Sequence, residues 1–110
     1  MTYTLLVYTI IETPLFTEQS RAIWTESERE DFCVWLSKNP LSGAVVSGSG
    51  GCRKVRWKRP GMGKRGGARV IHYNQLDNGV IYLLVIYTKA ERGSIPAHIL
   101  KVIREMLADG

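Results

Sequence analysis

Cysteine is scarce in this chain: Cys33 and Cys52 are the only two. That is too few for a disulfide scaffold, and no CxxC pair is present. Long apolar runs are missing as well, since no stretch approaches the ~18–20 residues needed to cross a bilayer. The Met1–Ile11 stretch has neither a basic flank nor a small-residue cleavage site, so it does not read as a signal peptide. Cys33, Cys52, His72 and His98 are scattered without the short paired spacings of zinc sites. Neither a metal nor another cofactor is therefore expected. What the chain does have is a 45% hydrophobic content within 110 residues, which argues against disorder and for one compact domain spanning 1–110. The expectation is a reduced, cytoplasmic, single-domain protein.

Acidic residues are missing from one region in particular. Residues 1–38 carry six acids and three bases, and residues 77–110 carry four of each. Residues 39–76 carry no acid and eight bases: Arg53, Lys54, Arg56, Lys58, Arg59, Lys64, Arg65 and Arg69. The net charge of +5 is thus an excess confined to the middle of the chain. Unopposed like charge costs a folded state through self-repulsion, which a polyanionic partner would offset.

The pattern of residues predicts the elements. Tyr3–Ile11 is rich in β-branched and aromatic residues and reads as a strand ended by Pro14. A short helix is expected around Phe16–Ile23. A second follows from Thr25-Glu26-Ser27-Glu28, a capping box, with Phe32, Trp35 and Leu36 on one stripe and Asn39-Pro40 as the stop. Ser42–Gly51 reads as a loop. From Cys52 the period changes to two, so Lys54 and Arg56 share one strand face while Arg53, Val55 and Trp57 take the other. Ala68–Tyr73 and Val80–Tyr87 are further strands joined by the turn signal Asp77-Asn78-Gly79. The second of these is apolar at both parities, as a strand covered on both faces should be. Ser94–Leu107 fits a helix with Ser94 at the N-cap, Pro96 in the first turn, and Ile99, Val102, Ile103 and Met106 as its apolar face. The expected fold is α+β: a mostly antiparallel four-stranded sheet, two N-terminal helices and a C-terminal helix, with the helices on one side.

Gly61-x-Gly63-x-x-Gly66 satisfies the dinucleotide-binding pattern, but a strand follows it where the motif requires a helix. It reads instead as a basic loop. The stronger signal is cationic. Lys54 and Arg56 share a face, Arg69 lies early in the next strand, and Lys89 follows the last one. Arginine grips phosphate bidentately, and the aromatics Trp57, Tyr73 and Tyr87 offer either stacking surfaces for bases or core side chains. RNA or another nucleic acid is the indicated ligand.

The segments Gly48–Trp57 and Pro60–Tyr73, with the glycine/arginine run Gly61-x-Gly63-Lys64-Arg65-Gly66-Gly67-Ala68-Arg69, resemble the RelE-like toxins of type II toxin–antitoxin systems (the RelE/ParE superfamily), and the HigB subgroup in particular. Ile11–Thr17 and Tyr82-Leu83-Leu84-x-x-Tyr87-x-Lys89-x-Glu91 are similar to the same subgroup. The resemblance implies an mRNA endoribonuclease acting on the ribosome beside rRNA, inhibiting translation, and neutralised by a helix-turn-helix antitoxin of the HigA type. It places catalysis on Lys54, Arg56, Arg69 and Lys89. The chain departs from some relatives at Ala90, where they carry Arg, Asn or His.

Metal-free RNA cleavage needs a base for the 2′-hydroxyl proton, cations for the charge developing on phosphorus, and an acid for the leaving 5′-oxygen. Arg56 and Arg69 suit the electrostatic role. Lys54 is the candidate base, because crowding by cations makes a lysine readier to yield its proton. Lys89 or Tyr73 is the candidate acid, and Arg53, Lys58, Arg59, Lys64 and Arg65 are candidate RNA-binding residues. Two other functions remain open at this point: a ParE-like poison of DNA gyrase, and a nucleic-acid-binding module without catalysis.

Overall fold

A computed structural model describes residues 8–57, 67–89 and 93–108. Strand β1 (Thr9–Glu12) leads into helix α1 (Pro14–Ile23) and helix α2 (Glu26–Lys38). Strands β2 (Ala44–Val45), β3 (Arg53–Trp57), β4 (Ala68–Gln75) and β5 (Val80–Thr88) precede helix α3 (Ala97–Ala108). The sheet runs in the order β1-β5-β4-β3-β2. Its ladders are antiparallel except β1 with β5, which is parallel.

Local chemistry sets the helix ends, and α1 begins two residues before the expected Phe16. Thr13 caps α1, its hydroxyl accepting from the Phe16 amide, and Pro14 opens the first turn, where its missing N–H costs nothing. Thr25 and Glu28 form the reciprocal capping box of α2, and the helix stops at Lys38, before Asn39-Pro40. The Leu76–Asn78 turn closes on Gly79 at φ 70°, a left-handed conformation that glycine adopts without a Cβ penalty.

Two expectations about the sheet are corrected. Ala44–Val45, inside the segment read as a loop, is a fifth strand paired with Lys54 and Arg53. Two residues carry too little periodicity to show in the sequence. The helices also do not lie on one side. Phe16, Trp24, Phe32 and Leu36 from the α1–α2 region pack on Val55, Ala68, Val70, Ile81, Leu83 and Ile86. Leu100 of α3 packs with Cys52, Ile71, Leu84, Val85 and Tyr87 on the opposite face of the sheet. The sheet is therefore sandwiched, which is why β5 is apolar at both parities.

A register shift between Ile71 and His72 leaves Leu84 without a cross-strand partner on β4. Beyond the end of β1, side chains of α1 and its cap serve β5 instead. The Thr13 hydroxyl donates to the Leu84 carbonyl at 2.9 Å, and the Ile86 amide donates to Gln19 Oε1 at 3.2 Å. Glu12 joins the first three elements: it accepts from the Thr17 hydroxyl at 2.8 Å and pairs with Arg29 at 3.2 Å.

The face of α3 is also corrected. Leu100 is buried and Ile103 and Leu107 pack beside it, whereas Ile99, Val102 and Met106 are 42%, 53% and 69% exposed. Apolar residues surround much of this helix, so periodicity alone offers two stripes, and the sheet selects one.

Candidate nucleic-acid interface

Strand register assembles the cationic residues. Arg56 on β3 stands directly opposite Arg69 on β4, and Arg69 directly opposite Tyr87 on β5. Side chains so paired share a face with Cβ atoms ~4.5–5.5 Å apart. Lys54, two residues before Arg56, faces the same way, and Lys89 follows Thr88 at the same end of the sheet. The structure thus brings Lys54, Arg56 and Arg69 to one face, with Lys89 just past the end of β5 at the same end of the sheet. Residues far apart in the chain meet there because three antiparallel strands end or begin at that edge.

Exposure differs sharply across this group. Arg56 and Lys89 are exposed and Lys54 is partly buried. Arg69 is 5% exposed, and its Nη1 is buried without a hydrogen-bond partner among the described residues. The salt bridges among the described residues, Arg29 with Glu12 and with Glu26, lie elsewhere. A buried guanidinium nitrogen without a partner among the described residues, beside a second arginine, is costly. It is the arrangement expected of a site that receives its counter-charge from outside the chain.

The other predicted residues separate from this group. Tyr73 lies four residues along β4 from Arg69, about 13 Å at ~3.3 Å per residue. Its hydroxyl accepts from Arg104 Nη2 at 2.9 Å, and the Arg104 guanidinium sits 4.8 Å from its ring centroid. Tyr73 is thus engaged beneath α3. Tyr87 is buried, and Trp57 packs with Phe32 and Trp35 of α2, so neither presents a stacking surface at the cationic edge. Lys58, Arg59, Lys64 and Arg65 lie outside the described residues, as does the Gly61–Gly66 motif.

Arg53 points to the opposite face from Lys54 and has a different task. Its Nη1 donates to the carbonyls of Leu41 and Gly43 at 3.0 and 3.2 Å. Asn74 Nδ2 donates to the Pro40 carbonyl at 2.6 Å, and His72 Nε2 lies 3.2 Å from that of Ser42. Four successive carbonyls, 40 through 43, are therefore held by β3 and β4 side chains. His72 Nδ1 lies 2.9 Å from Asn74 Oδ1. Burial pushes the His72 pKa below its ordinary value, against the opposing effect of these hydrogen bonds. The sequence marks His72 only as a possible metal ligand; its use in clamping a loop depends on partners 2 and 30 residues away.

The cysteines are poor nucleophiles. Burial, then Glu12, pushes the Cys33 thiol up to about 11, and burial raises that of Cys52.

No protein-family model matches the chain. Among solved structures it is similar to the E. coli toxin RelE, a mutant form in the free state, with a TM-score of 0.62 and 12% sequence identity, over 89% of this chain and 97% of that one. A likeness at that identity concerns the fold: this chain is a small α+β domain with the RelE-like arrangement of sheet and helices.

Proposed function

We propose that the chain is a toxin of the RelE kind, close to the HigB subgroup, and that it cleaves mRNA on the ribosome at the Lys54–Arg56–Arg69–Lys89 edge. The observation that carries this reading is Arg69, buried, unpartnered at Nη1 and directly opposite Arg56. The RelE-like fold and the glycine/arginine motif support it.

In this reading the substrate's 2′-hydroxyl attacks the adjacent phosphorus, forming the O2′–P bond as the P–O5′ bond breaks. Lys54 accepts the 2′-hydroxyl proton. Arg56 and Arg69 stabilise the charge gathering on the phosphorane oxygens, a contribution of about 3–4 kcal/mol for one well-placed donor. Lys89 supplies the proton taken by the leaving 5′-oxygen. The products are a 2′,3′-cyclic phosphate and a 5′-hydroxyl end, and no metal is needed. Tyr73, held by Arg104, supports α3 on the sheet in this scheme and takes no chemical part. A helix-turn-helix antitoxin with an acidic segment fits as the neutralising partner, since it would cover the same cations.

Primer extension on mRNA from translating cells tests the proposal. Wild-type chain should produce codon-associated cuts, and Lys54→Ala and Arg69→Ala should abolish them while circular dichroism shows both folded. Full translation inhibition by both folded variants would refute the assignment. Intact mRNA accompanied by DNA damage would point to gyrase, and salt-sensitive RNA binding without growth arrest would point to a non-catalytic module.

A further inference from the structure

Helix α3 carries two bases beside a glycine-rich turn. Lys101 and Arg104, three residues apart, lie on the same side of the helix. Residues 48–51 run along that side. A Cβ on Gly48 would lie 3.6 Å from that of Ala97, and one on Gly50 would lie 3.5 Å from Arg104 Cδ and 3.7 Å from Lys101 Cγ. A Cβ on Gly51 would lie 3.4 Å from the Tyr73 ring. Gly50 and Gly51 are exposed at φ 78° and 102°, so the main chain there lies open to solvent with no side chain over it.

Arg104 is held in place here. Its Nη2 donates to the Tyr73 hydroxyl and its guanidinium lies over the Tyr73 ring, while its Nε has no hydrogen-bond partner among the described residues. Fixing a cationic side chain in advance reduces the entropy lost when it grips an anion. Glu105 adjoins Arg104 but projects about 100° further round the helix, and the ion pairs among the described residues belong to Arg29. The two bases also share a sheet face with the cationic edge. Cys52, two residues before Lys54, and Ile71, two after Arg69, pack in one cluster with Leu100 and Tyr73. That face runs from Arg56 and Arg69, past Lys54, to the glycine turn and α3. The distance from Arg69 to Tyr73 is about 13 Å, and a nucleic-acid strand carries one phosphate per ~3.4 Å, so about four nucleotides cover it.

We propose that Lys101 and Arg104, with the open main chain of Gly50 and Gly51, bind the phosphates of a single RNA strand about four nucleotides from the bond cut at the Arg56–Arg69 end. The proposal rests on the nuclease reading for the identity of the strand. It gives the two bases a binding role and no part in the chemistry. Phosphate contacts fix register and orientation without reading sequence, so this site sets where the strand lies on the sheet.

Fluorescence anisotropy with labelled 2′-O-methyl RNA, which lacks the attacking hydroxyl, tests it on the full chain. The wild type should bind an octanucleotide roughly 10²-fold more tightly than a trinucleotide, because only the longer strand reaches both groups. Lys101→Gln and Arg104→Gln should each lower the slope of log affinity against log salt by ~0.7 on the octanucleotide, and the double variant by about 1.4. The double variant should also lose most of the length preference. Lys101 is exposed, so Lys101→Gln should melt with the wild type and keeps the test decisive should Arg104→Gln loosen α3. Arg21→Gln, an exposed base on α1, should leave the slope unchanged. Absent binding of the octanucleotide, a slope and length preference unmoved in the double variant, or an equal loss in Arg21→Gln would each overturn the site. Primer extension keeps the two readings apart. If the expected slopes appear but no mRNA is cut, the site stands and the nuclease reading falls. If mRNA is cut and the double variant binds as the wild type does, the nuclease reading stands and the site falls.

Discussion

Replacing Arg69 by methionine should make the protein more stable and inactive at once. Arg69 is 5% exposed and its Nη1 has no hydrogen-bond partner among the described residues. A buried donor left unsatisfied costs about 1–3 kcal/mol, more when it is charged. Its cross-strand neighbour Arg56 adds repulsion of roughly 0.2–1 kcal/mol. Methionine keeps most of the side-chain length and removes both terms, so Arg69→Met should gain about 1–3 kcal/mol, tempered by imperfect repacking. In a domain near 100 residues each kcal/mol moves the melting temperature by about 4–8 °C. Urea unfolding and thermal melts measure the gain directly. Loss of one preorganised cation should lower the rate of mRNA cleavage about 10²–10³-fold. A non-cleavable RNA oligonucleotide should raise the melting temperature of the wild type and do so less for Arg69→Met. If Arg69→Met instead loses more than about 1 kcal/mol of stability, the guanidinium is a structural group, and the argument that it awaits an external anion fails.

Three further outcomes follow from the geometry. His72 titrates below its ordinary value when folded, so the unfolded chain binds the extra proton first. Stability should be full above about pH 6.5 and fall as the pH drops through that value, by at most about 1.4 kcal/mol per pH unit; melts between pH 5 and 8 should show this slope in the wild type and lose it in His72→Gln. Gly43→Ala should destabilise by more than about 1 kcal/mol in urea unfolding, because φ is +83° and a Cβ would lie 2.3 Å from the Lys54 carbonyl oxygen. Gly79→Ala, with open space around its Cβ, should cost less. Tyr73→Phe should lower the melting temperature by loosening the Arg104 contact yet leave mRNA cleavage at the wild-type level; a severe loss of cleavage in a stable Tyr73→Phe variant would return this tyrosine to the catalytic group.

The parts of the molecule legible from the sequence are those governed by neighbours a few residues away. The Thr25–Glu28 capping box is i to i+3 chemistry and the Asn39-Pro40 stop is an effect on the adjacent residue, and each stands where the residues place it. The alternation through Arg53–Trp57 assigns Lys54 and Arg56 to one face because a strand has period two whatever it packs against. The clustering of bases between residues 39 and 76 is likewise a property of the chain alone. Tertiary structure decided what each face meets. It turned Ile99, Val102 and Met106 of α3 outward, although they are as apolar as the stripe it buried. It placed Arg53 on the carbonyls of Leu41 and Gly43 rather than on the cationic edge, and it set Tyr73 under Arg104. Above all it buried Arg69 opposite Arg56. A sequence can show that an arginine lies on a strand, but its desolvation depends on partner strands and a helix that arrive from elsewhere in the chain, and the proposed anion site rests on that desolvation.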